Sequence, residues 1–256
     1  MRFANKSVIV TGASAGMGGE AARRFAREGA AVLLNYAKSE KDALETVSGI
    51  VKAGGKAAAC QGDVSRPADA KRIVETAVKE FGRLDILINN AGITSFLPFA
   101  DLEAATPEVW ERIYAVNVVG AHLCATAAAA EMRKTGGGVI VNNASLAGSR
   151  PAGSSIPYCC SKAALIHLTR CLAVALGPEI RVNSVSPGLI EDTRWNLGRA
   201  NYDAARAHDS GVELSLVKRT GTAADVAAAI LFLASDEASF CTGVDLLVDG
   251  GRFYKV

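Results

Sequence analysis

The sequence predicts an α/β fold, a doubly wound parallel sheet with helices on both faces, formed as one domain by residues 1–256. Short apolar runs alternate with amphipathic stretches from end to end, as repeated β-α units require. Several of those runs are apolar without alternation, the pattern of parallel strands covered on both faces. The first run empties directly into a glycine-rich turn that opens a helical pattern.

Strands are expected at residues 7–11, 31–35, 57–60, 85–89, 139–143, 180–185 and 245–248. Before the fourth, Ala70, Ile73, Val74, Ala77, Val78 and Phe81 make one stripe at helical spacing, closed by Gly82. Thr106-Pro107 reads as an N-cap followed by proline at the first helical position, opening a helix that runs to Lys134. A second long helix is expected from Ser155 to Leu176, ended by Gly177-Pro178. Gly54-Gly55 and Gly136-Gly137-Gly138 mark tight turns into strands. No internal repeat, low-complexity tract or linker divides the chain.

Composition narrows the function classes. The formal charge is +2 and half the residues are hydrophobic, so a large core is available and nothing suggests a nucleic-acid partner. The N-terminus lacks the apolar segment of a secretory signal. No uninterrupted apolar run approaches the roughly 20 residues that cross a bilayer. The six cysteines have no metal-type spacing and the three histidines are scattered, so no metal site is expected. Reduced thiols in a cytoplasmic protein are the reading.

The first strand leads into Thr11-Gly12-Ala13-Ser14-Ala15-Gly16-Met17-Gly18. Glycines there let the chain turn tightly and bring backbone N–H groups against a pyrophosphate, which the next helix's positive end also attracts. The spacing is G-x-x-x-G-x-G, not the commoner G-x-G-x-x-G. After the second strand, an acid would accept the adenosine ribose 2′-hydroxyl and repel a 2′-phosphate. The chain instead reads Asn35-Tyr36-Ala37-Lys38-Ser39. Lys38 and Ser39, helped by Ser14, could hold a phosphate, so NADP(H) is favoured while NAD(H) stays open.

Ser145 follows the fifth strand, at the sheet edge where ligands gather. Thirteen residues on stands Tyr158, with Lys162 one helical turn later, so phenol and ammonium share a helix face. A free phenol, with a pKa of about 10, exchanges protons poorly near neutrality. A cation about 4 Å away would favour phenolate by roughly 4 kcal/mol, about three pKa units at most. Ser145 would then orient a carbonyl oxygen toward Tyr158.

Together these motifs resemble the short-chain dehydrogenase/reductase family over nearly the whole chain. The matching segments are Gly12…Gly16-Met17-Gly18, Asp63-Val64, Asn89-Asn90-Ala91-Gly92, Asn117, Ser145, Tyr158…Lys162 and Pro187-Gly188. The resemblance implies a Rossmann-like seven-stranded sheet in the order 3-2-1-4-5-6-7. It implies that Asp63 and Val64 contact the adenine and that Asn90 and Gly92 line the cofactor path. Lys162 would also bind the nicotinamide ribose, and Asn117 would complete a tetrad by holding a water in a proton relay from Lys162. Pro187, Gly188 and Ile190 fall in the cofactor-binding loop. There the family's nicotinamide-contacting threonine has Asp192 in its place, with Thr193 one residue later. Ala144 stands where a second hydroxyl residue is frequent.

The leading reading is an NADP(H)-dependent ketoreductase or alcohol dehydrogenase acting on a small-molecule carbonyl or alcohol. The rivals are a 3-oxoacyl thioester reductase, an NAD-linked sugar or polyol dehydrogenase, and a nucleotide-sensing regulator without turnover. Substrate choice is expected in residues 189–216, where Trp195, Leu197, Tyr202 and Leu214 offer apolar contact. Arg194, Arg199, Arg206 and His208 offer charge in the same segment. The two long helices are apolar on more than one face and the C-terminal residues 249–254 end on aromatics, which points to a homo-oligomer; the family resemblance implies a homotetramer.

Overall fold

In the computed structural model, residues 1–191, 193 and 203–254 are described, Arg206 by its backbone alone. The strands are β1 (Ser7–Val10), β2 (Ala31–Tyr36), β3 (Lys56–Gln61), β4 (Ile86–Asn89), β5 (Gly138–Asn143), β6 (Ile180–Pro187) and β7 (Asp245–Val248). They form one sheet in the order β3-β2-β1-β4-β5-β6-β7. Its pairings are parallel: Val8 lies between Val32 and Ile86, and Ile140 between Leu87 and Val182. The strand order reverses between β1 and β4, which opens a crevice beyond their carboxyl ends.

Each strand feeds both faces of the sheet, which explains the missing alternation. Val8 and Val10 pack with Phe25 of α1 (Gly16–Arg27) and Ile230 of α8 (Ala223–Ala234); Ile50 of α2 (Glu40–Lys52) joins the same core. Ile9, between those two valines, faces the other way. It packs with Ile73 of α3 (Pro67–Phe81), Cys124 and Met132 of α5 (Ala121–Lys134), and Leu172 of α6 (Ile156–Leu176). Gly82 closes α3 in the left-handed conformation, φ 79°, as its position after the apolar stripe predicts.

The helix expected from residue 106 to 134 forms as one uninterrupted helical span, Pro107–Lys134, of mixed type. Thr106 and Pro107 begin α4 (Pro107–Tyr114), and a π-helical turn, Ala115–Gly120, joins it to α5. The extra residue of such a turn has no sequence signature, and π-bulges are frequent at functional sites. Residues 107–134 and Ile156–Leu176 are long and apolar enough to cross a bilayer. The expectation based on uninterrupted runs missed them because polar residues break the runs within alanine-rich helices. In this fold Ala125, Ala128 and Leu172 seat them on the sheet.

All six cysteines are free, Cys60, Cys124 and Cys159 buried among them. A helix does follow β6, α7 (Ala204–Leu214). Asp192, Arg194, Trp195, Leu197, Arg199, Tyr202 and the Arg206 side chain lie outside the described residues, so the expected selectors among them have no structural account.

Candidate active site

The glycine turn is built from backbone. Gly12 has φ +61°, and a Cβ there would stand 2.9 Å from Ala91 Cα. At Gly18 a Cβ would lie 2.4 Å from Asn90 Nδ2 and 2.8 Å from the Gly12 carbonyl. Asn90 occupies that space, donating from Nδ2 to the carbonyls of Thr11 and Gly12 at 3.0 and 2.9 Å. Helix α1 then begins at Ala15 without a side-chain cap and without an acid in its first turn. Its first N–H groups, and the positive end of its dipole, are left for an anion. The cradle fits a dinucleotide pyrophosphate.

Side chains link this turn to the next strands. Asn143, at the end of β5, donates to Asn90 Oδ1 at 2.9 Å, while its own buried Oδ1 has no hydrogen-bond partner. A buried amide oxygen without a donor is costly; a ligand amide or hydroxyl in the crevice would satisfy it. Lys162 Nζ donates to the Asn143 carbonyl at 2.7 Å. Sequence reasoning passed over Asn143; its only signal was a polar pair, Asn142-Asn143, ending an apolar strand.

The chemical groups meet at the β5 end. Ser155 caps α6 by accepting from the Tyr158 N–H, with Pro157 in the helix's first turn. This sets Tyr158 and Lys162 on one helix face, and both line the same cavity as Ser145. Lys162 Nζ lies 5.8 Å from the Tyr158 ring centroid. Burial pushes the Tyr158 phenol up to about 12, against the downward pull of Ser145. Burial alone brings Lys162 down to about 8. The expected depression of the phenol by its cation is not what the folded chain gives: desolvation sets the direction of both shifts.

Asn117, in the π-helical turn, is 1% exposed. Its Oδ1 accepts from Ile93 N at 2.8 Å, and its Nδ2 donates to Ile93 O and Ser161 Oγ, both at 3.0 Å. The amide is therefore occupied by protein, pinning the loop after β4 to α6. Gly92 sits between, where a Cβ would come 3.4 Å from Asn117 Oδ1 and 3.5 Å from Lys162 Nζ.

At the adenosine end one expectation is corrected. Asn35 is 1% exposed; its Oδ1 accepts from Gly12 N at 3.3 Å and its Nδ2 donates to Cys60 O and Gly62 O at 3.3 and 3.0 Å. It shapes the glycine turn and has no free polar atom for a cofactor. Tyr36 is buried and its hydroxyl donates to Glu40 Oε1 at 3.1 Å. Ala37, Lys38 and Ser39 are exposed, and Ser39 starts α2 without a side-chain cap. Ser14 lies across the turn, its carbonyl accepting from Thr46. Asp63 accepts from Ser65 and pairs with Arg112 at 3.2 Å, and Val64 packs against Gly120, so both are largely occupied by protein.

A cavity of about 330 Å³ joins Met17, Asn90 and Gly92 to Ser145, Tyr158 and Lys162. Pro187, Gly188, Ile190 and Thr193 close it from the β6 side. Thr193 stands over the glycine turn, its Cβ 3.5 Å from where a Gly16 side chain would start. Leu189 faces the cavity from the start of the expected 189–216 segment, while Phe96, Leu146 and Arg252 also face it and no motif had singled them out as site residues. Loop residues far apart in sequence carry no periodic signal, so only folding could bring them in.

A glycine cradle at a strand-order switch point, leading to a serine beside a buried tyrosine and lysine, defines a dinucleotide-binding α/β oxidoreductase. A family model described as enoyl-(acyl carrier protein) reductase matches residues 12–252. The chain is 45% identical over 243 residues, 95% of its length and 94% of the relative's, to a Streptomyces violaceoruber protein named as a ketoacyl reductase of granaticin polyketide synthase. It is 39% identical over 258 residues to L-rhamnose 1-dehydrogenase (NAD(P)(+)) of a Sphingomonas species, covering 98% and 97% of the two chains. A short-chain dehydrogenase from Burkholderia cenocepacia, solved in complex with NADP, superposes with a TM-score of 0.87 at 36% identity, over 98% and 99% of the chains. The chain belongs to the short-chain dehydrogenase/reductase family and acts on CH–OH or C=O groups with a nicotinamide dinucleotide.

Proposed function

We propose that the protein is an NADP(H)-dependent ketoreductase or alcohol dehydrogenase in which Tyr158 exchanges a proton with a substrate oxygen held by Ser145. The observation that carries this reading is that Ser145, Tyr158 and Lys162 line one cavity together with Asn90 and Gly92. A nicotinamide, when bound, supplies or accepts hydride at the substrate carbon. Ser145 orients the oxygen and Tyr158, protonated at neutral pH, donates to it as charge develops. Lys162 holds the ribose and restores the tyrosine proton, and Asn117 positions the loop carrying Gly92 beside Lys162. Because burial keeps the phenol protonated, reduction is favoured near neutrality and oxidation toward higher pH.

The NADP(H) preference draws support from Lys38 and the uncapped start of α2 at Ser39, and from the absence of a carboxylate between Tyr36 and Ser39. The Burkholderia relative's NADP complex is consistent with it. We read the assembly as a cytoplasmic homotetramer, on the exposed apolar side chains Val174, Phe240 and Tyr254; light scattering at micromolar concentration tests the assembly. The activity test is a panel of ketones, 3-oxoacyl thioesters, an enoyl thioester, sugars and polyols, run with NADP(H) and NAD(H). Carbonyl reduction at a lower KM for NADPH is the expected result. Tighter use of NADH overturns the cofactor choice. Turnover of the enoyl thioester alone, or of nothing, overturns the carbonyl reading.

A further inference from the structure

Arg252 opens a short turn, Arg252–Tyr254, just after β7. Its side chain reaches the cavity that holds Ser145 and Tyr158, and also a neighbouring one beside Leu189 and Gly250. Among the described residues, nothing accepts a hydrogen bond from its guanidinium. The nearby carboxylate of Asp249 is taken by the turn itself, accepting from Gly251 N at 2.9 Å and Phe253 N at 2.6 Å. Arg150, a few residues after Ser145, donates from Nη1 to the Arg252 carbonyl at 2.7 Å. That bond fastens the turn to the active-site segment and brings a second cation alongside the first. Burial, then the Arg150 charge, lowers the Arg252 pKa against the pull of Asp249.

A guanidinium carries five N–H donors in a planar fork and cannot shed its charge at ordinary pH. Holding one partly desolvated beside a like charge, with its donors unmet, is unfavourable unless an anion completes it. Phe96, Leu146 and Leu189 add apolar side chains to the cavity lining. Among the described residues the cavity has two cations in its lining: Lys162, which donates to the Asn143 carbonyl, and Arg252, whose fork is left for an entering negative group. We infer that the substrate is a compact oxo acid or hydroxy acid whose carboxylate docks on Arg252 while its carbonyl or alcohol oxygen lies at Ser145 and Tyr158. Arg150 is a positioning residue for this contact. The assignment rests on the carbonyl/alcohol reading of the same site. It differs from a grip on an acidic carrier by the 189–216 segment, because Arg252 lines the cavity itself.

The test compares an oxo acid with its methyl ester at several chain lengths, using the intact enzyme with NADPH and with NADH. The wild type should prefer the acid. In Arg252→Gln the acid-to-ester ratio of kcat/KM should fall about 30-fold or more, mainly through KM, as loss of a charge-assisted pair requires. Arg252→Lys, which keeps the charge without the fork, should lose about tenfold and serves if the glutamine variant misfolds. A saturated carboxylate should inhibit competitively where its amide does not, and Arg252→Gln should abolish that difference. Equal loss on acid and ester, or an unchanged ratio, overturns the proposal and makes Arg252 structural. Wild-type turnover of neutral ketones but not of acids overturns it while the carbonyl reading stands. Failure to turn over any carbonyl or alcohol removes both.

Discussion

The two ends of the crevice recognise their ligands by opposite means. At the glycine turn the backbone forms the site: α1 begins without a side-chain cap, and side chains such as Asn35 and Asn90 brace the turn through its N–H and carbonyl groups. At the β5 end the site is side chains, and they are buried so deeply that Tyr158 and Lys162 are each driven toward neutrality. A backbone site tolerates water and fails sterically. A side-chain site works through desolvation and fails chemically. Substitutions at the first end should therefore change binding and stability together, and at the second should change rate with the fold intact.

The largest effect should separate the ends most sharply. Tyr158→Phe keeps the ring and its packing but removes the proton, so kcat should fall by at least ~10²–10⁴-fold. Cofactor affinity, read by fluorescence titration, should stay within a few-fold of wild type. Near-normal kcat would place the proton donor elsewhere.

At the glycine end the expected signature is the reverse. Gly18→Ala drives a methyl into Asn90 and the Gly12 carbonyl, at a cost of about 1–3 kcal/mol, with weaker binding of both cofactors. Asn35→Asp replaces the donor to Cys60 O and Gly62 O with a carboxylate. It should destabilise the fold by about 1–3 kcal/mol and weaken NADPH and NADH alike. A clean switch to NADH in that variant would mean the residue meets the ribose after all. Lys38→Glu with Ser39→Ala should instead raise KM for NADPH selectively, since those exposed side chains are not occupied in holding the turn.

Lys162 offers a pH test of the desolvated end. Its folded value of about 8 lies below its ordinary 10.5, so between those values the unfolded chain binds more protons and this residue's contribution to stability rises with pH. Thermal melts across that window should show the wild type gaining on Lys162→Met. A constant difference would mean the ammonium is better solvated than its burial implies.

The smallest effect concerns the segment beside the site. His208 Nδ1 meets Glu191 Oε2 at 2.8 Å, and Thr220 donates to the same oxygen. The hydrogen bond to Glu191, then its charge, raises the pKa of His208 above the ordinary 6.5. The pair's contribution is complete below 6.5 and is lost as pH rises through the raised value. Protection factors in Ala204–Leu214, taken against the intrinsic exchange rate at each pH, should fall modestly from pH 6 to pH 8, and His208→Gln should remove that dependence. A pH response that survives in the variant would assign it to another group.

The sequence by itself determined the elements and their layering. Seven apolar runs, the stripe from Ala70 to Phe81 and the punctuation at Gly82 and Pro107 are local consequences of residue size, polarity and backbone freedom. The glycine turn and the Tyr158–Lys162 spacing were legible for the same reason, since each functional relation spans one turn or one loop. What only the tertiary structure decided are relations between distant segments. Asn35 looked like a cofactor contact and proved to be a brace, because its partners are Cys60 in β3 and Gly12 and Gly62 in the turns after β1 and β3. The π-helical turn at Asn117 and the meeting of Arg150 with Arg252 are equally invisible along the chain. The direction of the pKa shifts was decided there too. Residue types and spacing told of an ammonium near a phenol, but the free energy of removing both from water depends on everything packed around them, and that is a property of the folded molecule alone.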